Sequence, residues 1–219
     1  YATSPRAILR RHEGTLVGFA TNEDYTYVAA DITEAYHPSK AEEVIRQMVF
    51  IKPDLFVIYD RVKSTEADYD KAWILHTARE PEILADGKTF RSIQDKGALL
   101  CRTLLPKEVT LVPVGGPGME FWSAAKNWDP VTNSPFHELW GEWRIEVRPT
   151  SRQKHEAFLH VLRVGELSLQ DIGEVSLVES DNRTGVLLEH EGKTITITFG
   201  REGPAKAWWG KGNPLPIQQ

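Results

Sequence analysis

The residues of this chain best suited to proton transfer, metal ligation or nucleophilic attack are seven histidines and one cysteine. Their spacing speaks against a metal. No His-x-His, His-x-x-x-His or Cys-x-x-Cys occurs, and these are the spacings that bring ligands onto one face of a strand, helix or loop. His155 and His160 are the nearest pair, but their odd offset puts them on opposite faces of a strand. His76 ends the apolar run Ala-Trp-Ile-Leu-His-Thr. There it reads either as a general base or ligand-binding group facing a groove, or as a core-edge imidazole bonded to a backbone carbonyl. His160, in Phe-Leu-His-Val-Leu, has the same two readings. Cys101 lies in the apolar run Ala98-Leu-Leu-Cys-Arg and reads as a buried thiol. Nothing beside it would activate it, and no Gly-x-Ser-x-Gly elbow or glycine-loop phosphate site occurs. No catalytic residue and no metal ligand is assigned.

Two further features carry binding chemistry. Arg46 sits within Val44-Ile-Arg-Gln-Met-Val-Phe-Ile, sharing a strand face with Val44, Met48 and Phe50. A buried guanidinium must be paired, and Asp31 or Asp60 is the expected partner in a structural ion pair. The segment Glu120-Phe-Trp-Ser-Ala-Ala-Lys-Asn-Trp128 sets Trp122 and Trp128 beside Lys126 and Asn127 on a glycine-rich loop. Sugars stack their C–H faces on aromatic rings and take hydrogen bonds from amides and cations. Trp122, Lys126, Asn127, Trp128 and His76 are therefore the expected substrate-binding residues. The alternative is that both tryptophans plug gaps between sheets. Arg6, Arg10 and Arg11, or Lys126, would supply local cations for an anionic ligand.

The elements that must position these residues are strands. Hydrophobic residues make up 41% of the 219 and charged residues 26%, which fits a folded, globular chain. The net charge of −5 and the lack of a basic stripe argue against nucleic acid. No run reaches the length of a membrane span. Trp143-Arg-Ile-Glu-Val-Arg and Lys193-Thr-Ile-Thr-Ile-Thr-Phe alternate strictly, one face for a core and one for water. Val44–Ile51 and Leu55–Tyr59 are apolar on both faces and joined by Lys52-Pro-Asp54, which predicts a hairpin in mid-sheet, covered on both sides.

Further strands are expected over Ala7–His12, Thr15–Ala20, Tyr25–Ala30, Ala72–Thr77, Thr89–Ile93, Ala98–Leu105, Thr110–Val114, Met119–Ser123, Phe158–Val164, Glu174–Val178 and Gly185–Glu189. Ser39 and Glu42 suggest one helical turn over Ser39–Glu43. The stretch from Gly115 to Leu139 reads as a long functional loop. Gly200–Gln219 reads as a surface tail pinned by Trp208 or Trp209. The expected fold is all-β: an antiparallel, multi-stranded β-sandwich over residues 1–165, with a small C-terminal β subdomain over 166–219.

Several ordered segments resemble the C-terminal β-sandwich region of heparinase II/III-like polysaccharide lyases. They are Tyr27-Val-Ala-Ala-Asp-Ile-Thr-Glu-Ala-Tyr36, Val44 to Val62 through Lys52-Pro-Asp54, Trp73-Ile-Leu-His-Thr77, Gly116-Pro-Gly-Met-Glu-Phe-Trp122, Gly141-Glu-Trp-Arg-Ile-Glu-Val-Arg-Pro149 and Phe158-Leu-His-Val-Leu162. The resemblance implies a supersandwich-like fold and a parent with an N-terminal α/α toroid. It implies β-elimination on a uronate-containing polysaccharide, such as a glycosaminoglycan or alginate, in the periplasm or outside the cell. In this family the catalytic Tyr, His and Asn lie mainly on the toroid, and a structural zinc is held by a His-x-His-x-Asp-like segment and a later His. Neither is in these residues, so no cofactor is expected in this chain.

The chain opens Tyr-Ala-Thr-Ser-Pro, without an initiator Met or a leader, and is expected to be part of a longer protein. Three functions stay open: the cleft-completing sandwich of such a lyase, inactive alone; a free-standing carbohydrate-binding module; and a structural association domain.

Overall fold

The computed structural model describes residues 14–129, 141–211 and 214–217; the expected strand Ala7–His12 and the cations Arg6, Arg10 and Arg11 lie outside them. The alternating segments form antiparallel sheets. The largest has eight strands. In spatial order they are β1 (Thr15–Thr21), β2 (Tyr25–Asp31), β3 (Ala41–Ile51), β4 (Leu55–Ser64), β13 (His155–Glu166), β8 (Gly97–Leu105), β7 (Thr89–Gln94) and β6 (Glu82–Ile83). A second sheet is β5 (Trp73–Thr77), β12 (Trp143–Pro149) and β9 (Val109–Gly115). A third runs in chain order through β14 (Val175–Glu179), β15 (Arg183–His190), β16 (Lys193–Gly200), β17 (Ala207–Gly210) and β18 (Leu215–Pro216). β10 (Trp122–Ser123) and β11 (Lys126–Asn127) make a small separate hairpin. Among the described residues the one helical element is a single 3-10 turn, Thr33–Ala35. The all-β sandwich expected from the alternation is what forms.

The large sheet is the middle layer. One face packs on the C-terminal sheet: Tyr27, Val49, Val57, Tyr59, Leu159 and Val161 meet Val186, Ile195, Ile197 and Phe199. The opposite face packs on the three-stranded sheet, where Phe90, Cys101, Phe158 and Leu162 meet Trp73, Leu111, Ile145 and Val147. β13 is therefore buried on both sides, and Phe158 through Leu162 are all inaccessible. His160 is fully buried, stacked on Trp73 with ring centroids 3.9 Å apart, and its Nδ1 lies 3.2 Å from Thr103 Oγ1. Cys101 is likewise buried, and burial raises its thiol.

An arginine and a histidine tie the C-terminal sheet to the large one. Arg61, itself buried, donates to the carbonyls of Gly200 at 3.1 Å and Gly203 at 2.6 Å, and lies 3.4 Å from Glu43. At the other end of β4, Arg163 donates to Asp54 at 3.1 Å while His190 Nε2 sits 3.1 Å from the Lys52 carbonyl.

Several expectations are corrected. Ser39–Glu43 is no helical turn: Ala41 already pairs with Ser64, and the gain from sheet pairing overrides a local capping pattern. Met119–Ser123 is mostly turn, with strand only at Trp122–Ser123. Residues 207–210 and 215–216 are not a surface tail but added strands, with Trp209 packed 4.8 Å from Tyr25.

The Arg46 pair forms with Asp60, through Nε at 2.8 Å and Nη2 at 2.6 Å. The buried member is the carboxylate, 6% exposed, against 46% for the arginine. Burial pushes the Asp60 carboxyl up even so, while its hydrogen bond holds the Arg46 guanidinium up. The pair thus offsets a desolvation cost rather than adding net stability.

Burial, with the charge of Arg46 added, pushes His160 down to about 3. An unfolded imidazole titrates near ~6.5. Between these values the unfolded chain binds a proton that the folded chain refuses. Stability is therefore full above pH ~6.5 and falls as pH drops, by up to about 1.4 kcal/mol per pH unit. Urea unfolding between pH 7 and 5 is expected to show this slope, and His160→Phe to flatten it.

Candidate functional site

The outer face of the three-stranded sheet gathers the chemistry-bearing residues. Along β12, Arg144, Glu146 and Arg148 point the same way, while Ile145 and Val147 point into the core. Arg144 stands opposite His76 on β5 and Val114 on β9. The Arg-Glu-Arg alternation predicts a water-facing row, but Glu146 is only 5% exposed. Arg144 Nε donates to one of its oxygens at 2.7 Å, and Arg148 Nε and Nη2 donate to the other at 2.9 and 2.5 Å. Burial works to raise the Glu146 carboxyl; the two guanidinium groups outweigh it and hold it below the usual carboxylate range. The unit carries one carboxylate and two cations.

Arg144 also reaches out of the sheet. Its Nη1 donates to the Trp122 carbonyl at 2.5 Å, which anchors the β10–β11 hairpin to β12. In this hairpin Trp122 pairs with Asn127 and Ser123 with Lys126. Asn127 is engaged at both ends: its amide donates to Glu120 at 2.9 Å, and its carbonyl accepts the Phe121 N–H at 2.8 Å. Backbone hydrogen bonding and this amide hold the Glu120 carboxyl low. Asn127 is thus spent on holding the loop.

Trp128 and Lys126 are presented instead. The Trp128 indole N–H donates to the Ser123 carbonyl at 3.1 Å, and the Lys126 ammonium lies 4.6 Å from its ring centroid. Trp128 is 52% exposed and plugs no gap between sheets; Trp122 is half-buried.

His76 is exposed, with Nδ1 at 3.4 Å from the Gly141 carbonyl. Any side chain at Gly141 would meet the His76 Cβ at 2.8 Å, so this glycine is what lets the loop run so close. The link from His76 through Arg144 to Trp122 joins two sites far apart in sequence. Sequence reasoning missed Arg144, Glu146 and Arg148. The signal was the charge order of β12, and a carboxylate between two arginines at every second position reads equally well as a solvated face.

The expected functional loop from Gly115 to Leu139 is described only to residue 129. Among the described residues no group of three or more His, Cys, Asp and Glu side chains gathers as a metal site.

The hairpin tip is strained. Ala124 and Ala125 both have positive φ, 51° and 60°. This is the two-residue turn in which Asn-Gly is the favoured pair, and each alanine costs about 1 kcal/mol there. Ala124→Asn with Ala125→Gly is expected to raise the thermal midpoint by a few degrees, with Trp128 fluorescence unchanged.

No family model matches the chain, and no curated protein matches it by sequence. Solved structures are similar to it. A mutant of the heparan sulfate lyase HepC from Pedobacter heparinus has a TM-score of 0.57 at 14% identity, over 92% of this chain and 34% of that one. HepC itself gives 0.56 at 14%, over 87% and 28%. A heparinase III gene product gives 0.58 at 11%, over 86% and 28%. The fold is therefore that of one region of heparinase III structures, and the chain spans about a third of their length or less.

Proposed function

We propose that this chain is the C-terminal β-sandwich of a polysaccharide lyase, one that cleaves a uronate-containing polysaccharide by β-elimination. In the parent it completes the substrate cleft and stabilises an N-terminal α/α toroid. It is inactive alone, because the proton-transfer residues that the resemblance implies belong to the toroid. Any structural zinc of the parent is held by residues outside this chain. The parent works in the periplasm or outside the cell; among the described residues no helix is long and apolar enough to cross a membrane.

One observation supports this reading beyond the fold. The three-stranded sheet covers its face of the large sheet only part of the way. Phe56 and Ile58 of β4 pack under it, but on this face Val28, Met48 and Phe50 of β2 and β3 belong to neither core. Leu16 and Phe19 fall on this face together, because a bulge between Leu16 and Gly18 shifts the register. They are 63% and 52% exposed. Half-buried Val28, Met48 and Phe50 continue the patch. An apolar sheet face rarely meets water over such a width unless something docks on it. The occupant we assign is the rest of the parent chain, since the similar structures are about three times as long as the part this chain matches.

The exposed hairpin favours a second reading, in which Trp128, Lys126 and half-buried Trp122 contact acidic polysaccharide directly and His76 flanks them. This is compatible with the first reading and also with a free-standing binding module. Arg144 then acts as the positioning residue for the hairpin.

The chain alone is expected to give no ultraviolet rise from unsaturated uronate product on heparan sulfate, heparin or alginate. Joined to the helical region encoded upstream, it is expected to become active, and Leu16→Asp with Phe19→Asp to weaken that association. An upstream reading frame without a helical toroid would overturn the proposal. On affinity gels cast with uronate polymers, retardation that Trp128→Ala abolishes is expected from the second reading; unchanged retardation would count against it.

A further inference from the structure

At the end of β12 away from the hairpin lies a cavity of about 380 Å³. Its walls come from the segment before β5, the paired ends of β9 and β12, and the turn into β13. This volume is in the range of single small-ligand sites. Lys71, Arg148 and Arg152 line it together with Asp70 and Glu156. Lys71 lines it, and its ammonium donates to the Tyr69 carbonyl at 3.1 Å. Among the described residues no carboxylate lies within ion-pair distance of it. Burial lowers the lysine's affinity for its proton, against the pull of Glu156, Asp68 and Asp70 further off.

Arg148 lines the same cavity. Its Nε and Nη2 are taken by Glu146, and Nη1 has no hydrogen-bond partner among the described residues. Glu146 is itself shared with Arg144, so it cancels only one of two cations. The third cation, Arg152, is matched by Asp70 at 2.8 Å. The remaining acid of the wall, Glu156, is buried, and burial pushes its carboxyl up. The hydroxyls of Thr110, Thr150 and Ser151 add neutral donors. A lysine without an ion-pair partner among the described residues, hydroxyl donors and a single-ligand volume coincide here.

We propose that this cavity binds one oxyanion group, the carboxylate or sulfate of an acidic sugar unit, between the Lys71 ammonium and Arg148 Nη1. Guanidinium and ammonium groups make their strongest hydrogen bonds to such oxygens, and the hydroxyls suit the sugar's own. The site stands about 13 Å along β12 from the hairpin anchor, four residues at the rise of a strand. The oxyanion class follows from these residues, and its assignment to an acidic sugar rests on the proposed function.

Titration of the 219-residue chain with sodium glucuronate, inorganic sulfate and glucose, followed by calorimetry and amide NMR shifts, tests it. Saturable millimolar binding of glucuronate or sulfate is expected, with shifts centred on Lys71 and Ser151 and none from glucose. Preference between the two anions assigns the group as carboxylate or sulfate. Lys71→Met is expected to weaken binding at least tenfold and Lys71→Arg to retain it, and shifts at Lys71 and Ser151 rather than at the hairpin separate the two sites. Circular dichroism checks that the variants fold. No saturable binding of either anion, equal binding of glucose, or unchanged affinity in folded Lys71→Met would overturn the proposal.

Discussion

The structure depends on one strand being buried on both faces. β13 pairs with β4 on one edge and β8 on the other, and carries a sheet against each of its sides. No residue between Phe158 and Leu162 can therefore be charged or wet. His160 obeys the constraint by staying neutral, stacked on Trp73 and facing Thr103. The arrangement also explains why the three-stranded sheet exists. Without Trp73, Ile145 and Val147, Phe158 and Leu162 would face water, and burial of such side chains is worth about 1.5–3 kcal/mol each.

Charge is handled by the same economy. Four arginines have their guanidinium groups committed inside or at the seams of the fold: Arg46 on Asp60, Arg61 on two backbone carbonyls, and Arg144 and Arg148 on Glu146. Each satisfies a group that burial would otherwise strand. Arg144 and Arg148 go further, because each also meets a feature at its own end of β12. One holds the Trp122 hairpin and the other faces an open cavity. An ion triad within the sheet thereby also supports the two surfaces proposed to bind.

What is left exposed fits a part of a larger protein. The chain builds a well-filled core between its sheets and yet leaves Leu16 and Phe19 uncovered on an apolar sheet face. The strained alanines of the hairpin tip lie beside an exposed tryptophan rather than in a packed turn. Local strain kept beside an exposed aromatic group is more consistent with recognition than with stability.

The sequence by itself determined the class of fold, most strand positions and most faces. Alternation marks which side of a strand is apolar, and that property is local. Trp143–Pro149 and Lys193–Gly200 were legible for this reason, whereas the strand Ala41–Ile51 was marked by a run apolar on both faces. That Arg46 needs an acidic partner was legible too, because a charge within an apolar face must be paired, but the choice of Asp60 over Asp31 was made by the fold. The tertiary structure alone decided which strands became neighbours. It set β13 between β4 and β8, turned residues 207–210 from a tail into a strand, and buried Glu146 where its sequence pattern suggested water. A two-residue period records the side to be buried but not the surface that buries it. For that reason the candidate binding residues could be named one by one, while the arginine that gathers His76 and Trp122 into one place could not.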